Sequence, residues 1–314
     1  LVFLHLGNCH SLHLTSVSFY HTVEEISAVP QSIDSNPRRH HVESHSIASQ
    51  ALHEERTIKV CLPAQYDSRR VYPLLICHDG NEFLSYVRVA TIANRLAASE
   101  AVLPVIAVFI ETVRGRRRDD YHPAGRRSHD YADFVAGECI PAVRDLYGQP
   151  AQPHQIALFG ASLGACANLR ILADHPGVAR FTLLFSGFYD PETQAMIAQT
   201  DGLQDISAYM VVGQSERQAK TPSGVFDVLT YNEQAHALLS ERGVKVDFHI
   251  APGQHTWGFW QQELPAALHW LSDKLHAAAE TDLQAGGSGP IDAAETLQQP
   301  NHVLDAAGKV RESN

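Results

Sequence analysis

The sequence predicts an α/β fold built on a mostly parallel, twisted sheet with helices on both faces. Three observations carry this. Seven runs of strand length occur, several almost wholly apolar, as strands covered on both faces must be. Segments of helix length alternate with them. One run passes directly into a helical segment through a glycine-bracketed turn, Gly160 to Gly164.

The strand runs are Thr57–Leu62, Tyr72–Cys77, Leu103–Ile110, Gln155–Phe159, Phe181–Phe185, Tyr209–Val212 and Val244–Ile250. The helical segments are Phe83–Ser99, Tyr131–Leu146, Leu163–Asp174, Asn232–Arg242 and Phe259–Ala279. Parallel neighbours need right-handed crossovers, and these segments are long enough to supply them. The first two runs are joined by about ten residues bracketed by Pro63 and Pro73, with no helical pattern, and are expected to pair antiparallel. Residues 1–50 read as an N-terminal extension with short β-like pieces such as Ser16–Val23 and a His-rich polar stretch. Residues 51–279 form one catalytic-size α/β domain. Residues 280–314, rich in Ala, Gly, Ser and Gln, bury too little apolar surface to offset their ordering entropy and are expected to be a disordered tail.

The chain has 314 residues, 44% of them hydrophobic, enough for a sizeable core. A formal charge of −11 argues against nucleic acid as a partner, because phosphate binding needs a basic face. No apolar run reaches the ~20 residues of a spanning helix, so no membrane role is expected. The short apolar start, Leu1 to Leu6, lacks the basic flank of a secretory signal. The five cysteines show no pair spacing and read as buried free thiols, which favours a reducing compartment and a cytoplasmic location. No cofactor is expected. The pattern leaves oligomeric state open.

The stretch Gln155-Ile-Ala-Leu-Phe-Gly-Ala-Ser162-Leu-Gly carries the chemistry. A strand-to-helix turn this tight forces its central residue into strained backbone angles and requires small neighbours two residues away. It pushes the Ser162 hydroxyl out at the carboxyl edge of the sheet and turns the Leu163 amide into an oxyanion donor. A serine hydroxyl needs a base. Of nineteen histidines, His255 lies in a Gly-rich loop after the last strand and before the final helix, at that same edge, whereas His249 and His269 fall within a strand and a helix. Glu216, just past the strand Tyr209–Val212, is placed to orient the imidazole. Asp227 is the alternative acid, and a Ser–His dyad without an acid remains open. The second oxyanion donor is expected from Gly80 or Asn81, after the run ending His78-Asp79. That pair lacks companions at metal-ligand spacing, so no metal is expected.

His-Asp-Gly-Asn-x-Phe-Leu, Arg118-x-x-Tyr121, Phe134 with Ile140-Pro141, Gly-Ala-Ser-Leu-Gly and Gly253-x-His-x-Trp257-x-x-Trp260 occur in this order. Together they resemble the esterase family of α/β-hydrolases, and within it most the enterochelin-esterase, or siderophore-esterase, branch. The resemblance spans roughly residues 55–278. It implies an α/β-hydrolase fold, a Ser162/His255 pair with Glu216 where many members carry a carboxylate, and hydrolysis of small-molecule carboxylic esters. Two features differ. About 50 residues precede the matching region, too few for the N-terminal domain of the cytoplasmic enterochelin esterase, and Ala165 stands where a second Gly is usual. Feruloyl and acetyl-type esterases and acyltransferases use the same scaffold, so acyl transfer is the alternative activity and a non-catalytic binding module a third reading. Segment Glu111–Asp130 carries six arginines on an acidic chain. Guanidinium forks suit carboxylates, phenolates and aromatic faces. Arg117, Arg118, Tyr121 and Trp257 are therefore the expected substrate contacts, against the plainer reading of a charged loop paired with Asp119, Asp120 and Asp130.

Overall fold

A computed structural model describes residues 41–149, 151–221 and 223–286. Its framework is an eight-stranded sheet of β1 (His41–Ser49), β2 (Glu54–Leu62), β3 (Leu74–Cys77), β4 (Ile106–Ile110), β5 (Ile156–Ala161), β6 (Phe181–Phe185), β7 (Ser207–Gly213) and β10 (Lys245–Ala251), with a separate hairpin of β8 (Ala219–Thr221) and β9 (Gly224–Phe226). The order is β1-β2-β4-β3-β5-β6-β7-β10, and only β2 runs against the others. This is the mostly parallel α/β arrangement that the alternating pattern predicts, and it agrees with the α/β-hydrolase fold that the resemblance implies.

Every residue of β3, β4, β5 and β6 is buried, so each strand feeds two cores with its alternate side chains. Leu74, Ile76, Ile156 and Leu158 join one core, beneath the helices Ile140–Leu146, Leu163–Asp174 and Val228–Glu241. Leu75, Cys77, Ala157 and Phe159 join the other, beneath Val89–Ala98 and Trp257–Gly286. Burial on both faces is why these runs lack polar alternation.

The structure corrects several expectations. β2 and β3 do not pair; β4 lies between them, antiparallel to β2 and parallel to β3. The Pro63–Pro73 connection is long enough to step over one strand, so a short loop here does not mean adjacency. β1 pairs with β2 along its whole length, so the sheet crosses the boundary expected at residue 50. The last helix continues past residue 279 to Gly286; the remainder of the expected tail, and Ser16–Val23, lie outside the described residues. Leu103–Val105 precede β4 rather than extend it. The expected helix Phe83–Ser99 breaks at Arg88, whose φ is +60°, into a π-helical turn Phe83–Val87 and the helix Val89–Ala98. The helix Pro191–Gln199 and the short helix Arg117–Tyr121 are additional.

Candidate active site

β5 ends in the elbow. Ser162 sits at φ 56°, ψ −120°, a conformation disfavoured for any residue with a Cβ. It is held there from both sides, its N–H donating to Phe185 O (2.9 Å) and its C=O accepting from Phe188 N (3.1 Å). A Cβ on Gly160 would lie 2.2 Å from the Gly164 carbonyl, so this close crossing of strand and helix demands glycine at 160.

The Ser162 hydroxyl lies 3.0 Å from His255 Nε2, and His255 Nδ1 lies 2.7 Å from Glu216 Oε2. Glu216 is completely buried. Its other oxygen, Oε1, accepts from the Gly213 amide (2.8 Å) and the Ser186 hydroxyl (2.7 Å), and Ser186 in turn accepts from the Trp260 indole N–H (2.9 Å). With Oε1 saturated, Oε2 faces the imidazole. A proton on Nδ1 then leaves the Nε2 lone pair toward Ser162, the tautomer a general base requires. A Cβ on Gly213 would come 2.7 Å from Glu216 Oε1, so that glycine makes the amide contact feasible.

Thus Ser162, His255 and Glu216 converge, from the ends of β5, β10 and β7. The alternative acid, Asp227, instead caps the helix Val228–Glu241, accepting from Thr230 N at 2.9 Å. The rival His249 pairs with Asp247 at 2.9 Å on β10. Leu163 opens the helix after the elbow and Gly80 and Asn81 open the turn after β3. As first residues of helical turns their amides have no intrahelical acceptor. Gly80 must be glycine, since a Cβ there would meet the backbone of Phe109 and Ile110 at 2.8–2.9 Å.

The expected substrate contacts divide. Tyr121 is 0% exposed and packs among His78 and Tyr131, so it is no surface for a ligand. Arg117 forks onto buried Asp79, Nε to Oδ1 at 2.6 Å and a terminal nitrogen to Oδ2 at 2.7 Å. Burial opposes its charge, but the Asp79 carboxylate outweighs that and holds its pKa above the ordinary value. Arg116 and Arg127 pair with Glu54, Arg127 also with Asp120, and Arg126 with Asp119. Buried Arg56 completes this cage through Glu54 and Asp120. Most of the positive island is therefore neutralised within the protein. Arg114 and Arg118 are exposed and have no ion pair among the described residues. Trp257 is half-buried, edge-on to Trp260 (4.8 Å between ring centroids), which is itself edge-on to His255 (5.1 Å). Tyr86, 60% exposed, stacks on Trp257 at 6.0 Å. The sequence reading missed Ser186 and Tyr86. Ser186 follows β6 at the same carboxyl edge, where a census of strand ends would have found it.

One grouping offers three metal-ligand atoms within 4.8 Å of one another, His122, Asp190 and Glu192. His122 Nδ1 accepts the Ala124 N–H (3.2 Å), so the proton resides on Nε2 and is donated to Asp190 Oδ2 (2.8 Å). With that tautomer Nε2 has no lone pair for a metal. No helix among the described residues is long and apolar enough to cross a membrane.

A family model described as "Putative esterase" matches residues 49–271. The chain is 28% identical over 235 residues to "Uncharacterized protein YjcH" of Bacillus subtilis (strain 168), covering 74% of this chain and 98% of that one. Among solved structures it is similar to a ferulic acid esterase (TM-score 0.63, 17% identity, 75% of this chain, 99% of that one). It is also similar to the enterobactin esterase FES from Shigella flexneri (TM-score 0.63, 17% identity, 74% of this chain, 60% of that one) and to the BES protein from Bacillus cereus (TM-score 0.59, 20% identity, 79% of this chain, 99% of that one). At these identities the structural likeness speaks for the fold, and the family match covers most of the chain. The chain belongs to this esterase family.

Proposed function

We propose that the protein is a serine carboxylic-ester hydrolase that acts through an acyl-enzyme on small esters bearing an aromatic ring. The observation that carries the reading is the unbroken relay from Ser162 Oγ through His255 to buried Glu216. Ser162 attacks the ester carbonyl as His255 Nε2 takes its proton, and Glu216 stabilises the resulting imidazolium. The amides of Leu163 and of the Gly80–Asn81 turn receive the oxyanion. His255 protonates the departing alcohol, and water repeats the cycle on the acyl-enzyme. The aromatic preference is supported by Tyr86 and Trp257, stacked beside the histidine loop with Tyr86 open to solvent. An anionic substrate has weaker support, because Arg117 is engaged by Asp79. Among the described residues, the four buried free thiols (61, 77, 139 and 166) fit a cytoplasmic setting.

Ser162→Ala tests the reading. It is expected to fold, to lose a factor of ~10⁴ or more in kcat for a short nitrophenyl ester, and to escape labelling by a fluorophosphonate. Wild-type activity in this variant would overturn the assignment. Product analysis with a competing alcohol separates hydrolysis from acyl transfer.

A further inference from the structure

We propose that Arg117 is a positioning residue that sets the spacing between the two halves of the oxyanion hole. The proposal rests on the serine-esterase reading and gives Arg117 a role other than substrate contact.

The two halves sit on adjacent parallel strands that part company at the site. β3 and β5 pair from Leu74↔Ile156 to Cys77↔Phe159, and the last backbone link between them is His78 N to Phe159 O at 3.1 Å. Beyond it the chains diverge. One runs through Asp79 into Gly80 and Asn81, the other through Ala161 into Ser162 and Leu163. The ladder no longer fixes their separation. Arg117 does, because its guanidinium holds both Asp79 carboxylate oxygens and also donates to Ala161 O at 3.3 Å. One planar group thus touches the residue before each donor segment, a geometry that a lysine ammonium cannot reproduce.

The Asp79 end is itself firmly defined. Asp79 adopts φ +51°, an unfavourable left-handed conformation for a residue with a side chain, and is buried. Its N–H donates to the Tyr121 hydroxyl (3.1 Å), Thr112 donates to Oδ1 (3.0 Å), and Arg117 lies over the Tyr121 ring at 5.4 Å. Tyr121, expected at the sequence level to meet substrate, serves here as the floor of the clamp.

An oxyanion hole binds charge that develops in the transition state, so misplacing its donors lowers kcat and leaves ground-state binding nearly unchanged. Arg117→Lys is expected to reduce kcat about 10- to 100-fold for a nitrophenyl ester, with KM within about twofold. Affinity for an arylboronic acid should fall in parallel with kcat/KM. That probe forms a bond from Ser162 Oγ to boron, passes the hydroxyl proton to His255, and places a boronate oxygen in the hole. A purely structural role would lower the melting temperature and the active fraction but leave kcat per labelled site and boronate affinity intact. Asp79→Asn is the second variant, with the same expected pattern, and decides the matter if Arg117→Lys does not fold. Folded variants with kcat and boronate affinity within threefold of wild type would overturn the proposal. If Ser162→Ala abolishes activity while Arg117→Lys keeps wild-type kcat, only the Arg117 role falls; if Ser162→Ala stays active, the esterase mechanism falls first.

Discussion

Replacing Glu216 by Gln isolates what the acid does without emptying its site. Gly213 N–H and the Ser186 hydroxyl both donate to Oε1, so in Glu216→Gln the amide oxygen is drawn to that side and the NH₂ is turned toward His255. Facing a donor, Nδ1 becomes the acceptor, and the imidazole proton moves to Nε2, where it blocks deprotonation of Ser162. Two losses combine. An imidazolium and a carboxylate with charge centres about 4 Å apart attract by about 4 kcal/mol at an effective dielectric of 20, or about three decades in rate. Tautomer inversion adds to this, toward the ~10⁴-fold loss typical when a triad acid becomes an amide. We therefore expect kcat to fall 10³- to 10⁴-fold with little change in melting temperature, read from steady-state hydrolysis of a nitrophenyl ester and from thermal unfolding. Glu216→Ala should also destabilise, by about 1–3 kcal/mol for each buried donor left without a partner. A Glu216→Gln enzyme that is stable and within tenfold of wild type would refute the tautomer argument and leave a Ser–His dyad.

Asp227→Ala should cost about 1 kcal/mol through the lost helix cap and leave kcat unchanged; a triad-sized loss of rate would return Asp227 as the acid. Ser186→Ala strands the Trp260 indole N–H and removes one donor from Glu216, so stability should drop by about 1–3 kcal/mol and kcat several-fold. Adding Trp260→Phe should restore much of the stability but not the rate, as measured by denaturant unfolding and kinetics, whereas strictly additive stability losses would contradict the hydrogen-bonded relay. Burial pushes the His78 pKa down to about 4, against the pull of Asp79. Between that value and the unfolded ~6.5 the unfolded chain binds the extra proton, so stability falls as pH drops through this window, by roughly 3 kcal/mol in all. His78→Gln should flatten that slope in urea titrations at pH 7 and pH 4.5; an unchanged slope would show that other groups govern acid sensitivity.

The elbow was legible in the sequence because its constraints are local. Gly160 and Gly164 flank Ser162 within five residues, and the strand before and helix after are strong patterns. His255 was legible from position, since the loop after the last parallel strand opens at that edge, whereas His249 and His269 fall within a strand and a helix. The Arg117–Asp79 fork was not legible because the two residues are 38 apart in the chain and a charge count says nothing about burial. Six arginines in twenty residues look like a binding surface until Glu54 and Asp120 are found inside the same cluster. β1 escaped notice because this edge strand is polar on both faces, with Ser44 and Ser46 exposed and Glu43 and His45 on its half-buried face. The helix Pro191–Gln199 had a readable start, Asp190 as cap followed by Pro191, but only two of its residues are fully buried, so its apolar period is faint.

The backbone strain in this protein follows the same division. Three buried residues with side chains hold positive φ at the carboxyl ends of neighbouring strands: Asp79 after β3, Ser162 at the end of β5 and Ser186 after β6. Such conformations cost of order 1–3 kcal/mol each and persist only where surroundings over-determine them. Each is pinned through its own N–H, to the Tyr121 hydroxyl, Phe185 O and Val211 O respectively. The last two carbonyls belong to the next strand in the sheet, so β6 holds the bend at Ser162 and β7 holds the bend at Ser186. The parallel sheet therefore does more than carry the site. Its stagger gives the bends at Ser162 and Ser186 a neighbouring carbonyl each, and so fixes both the nucleophile and the Ser186 hydroxyl that donates to Glu216.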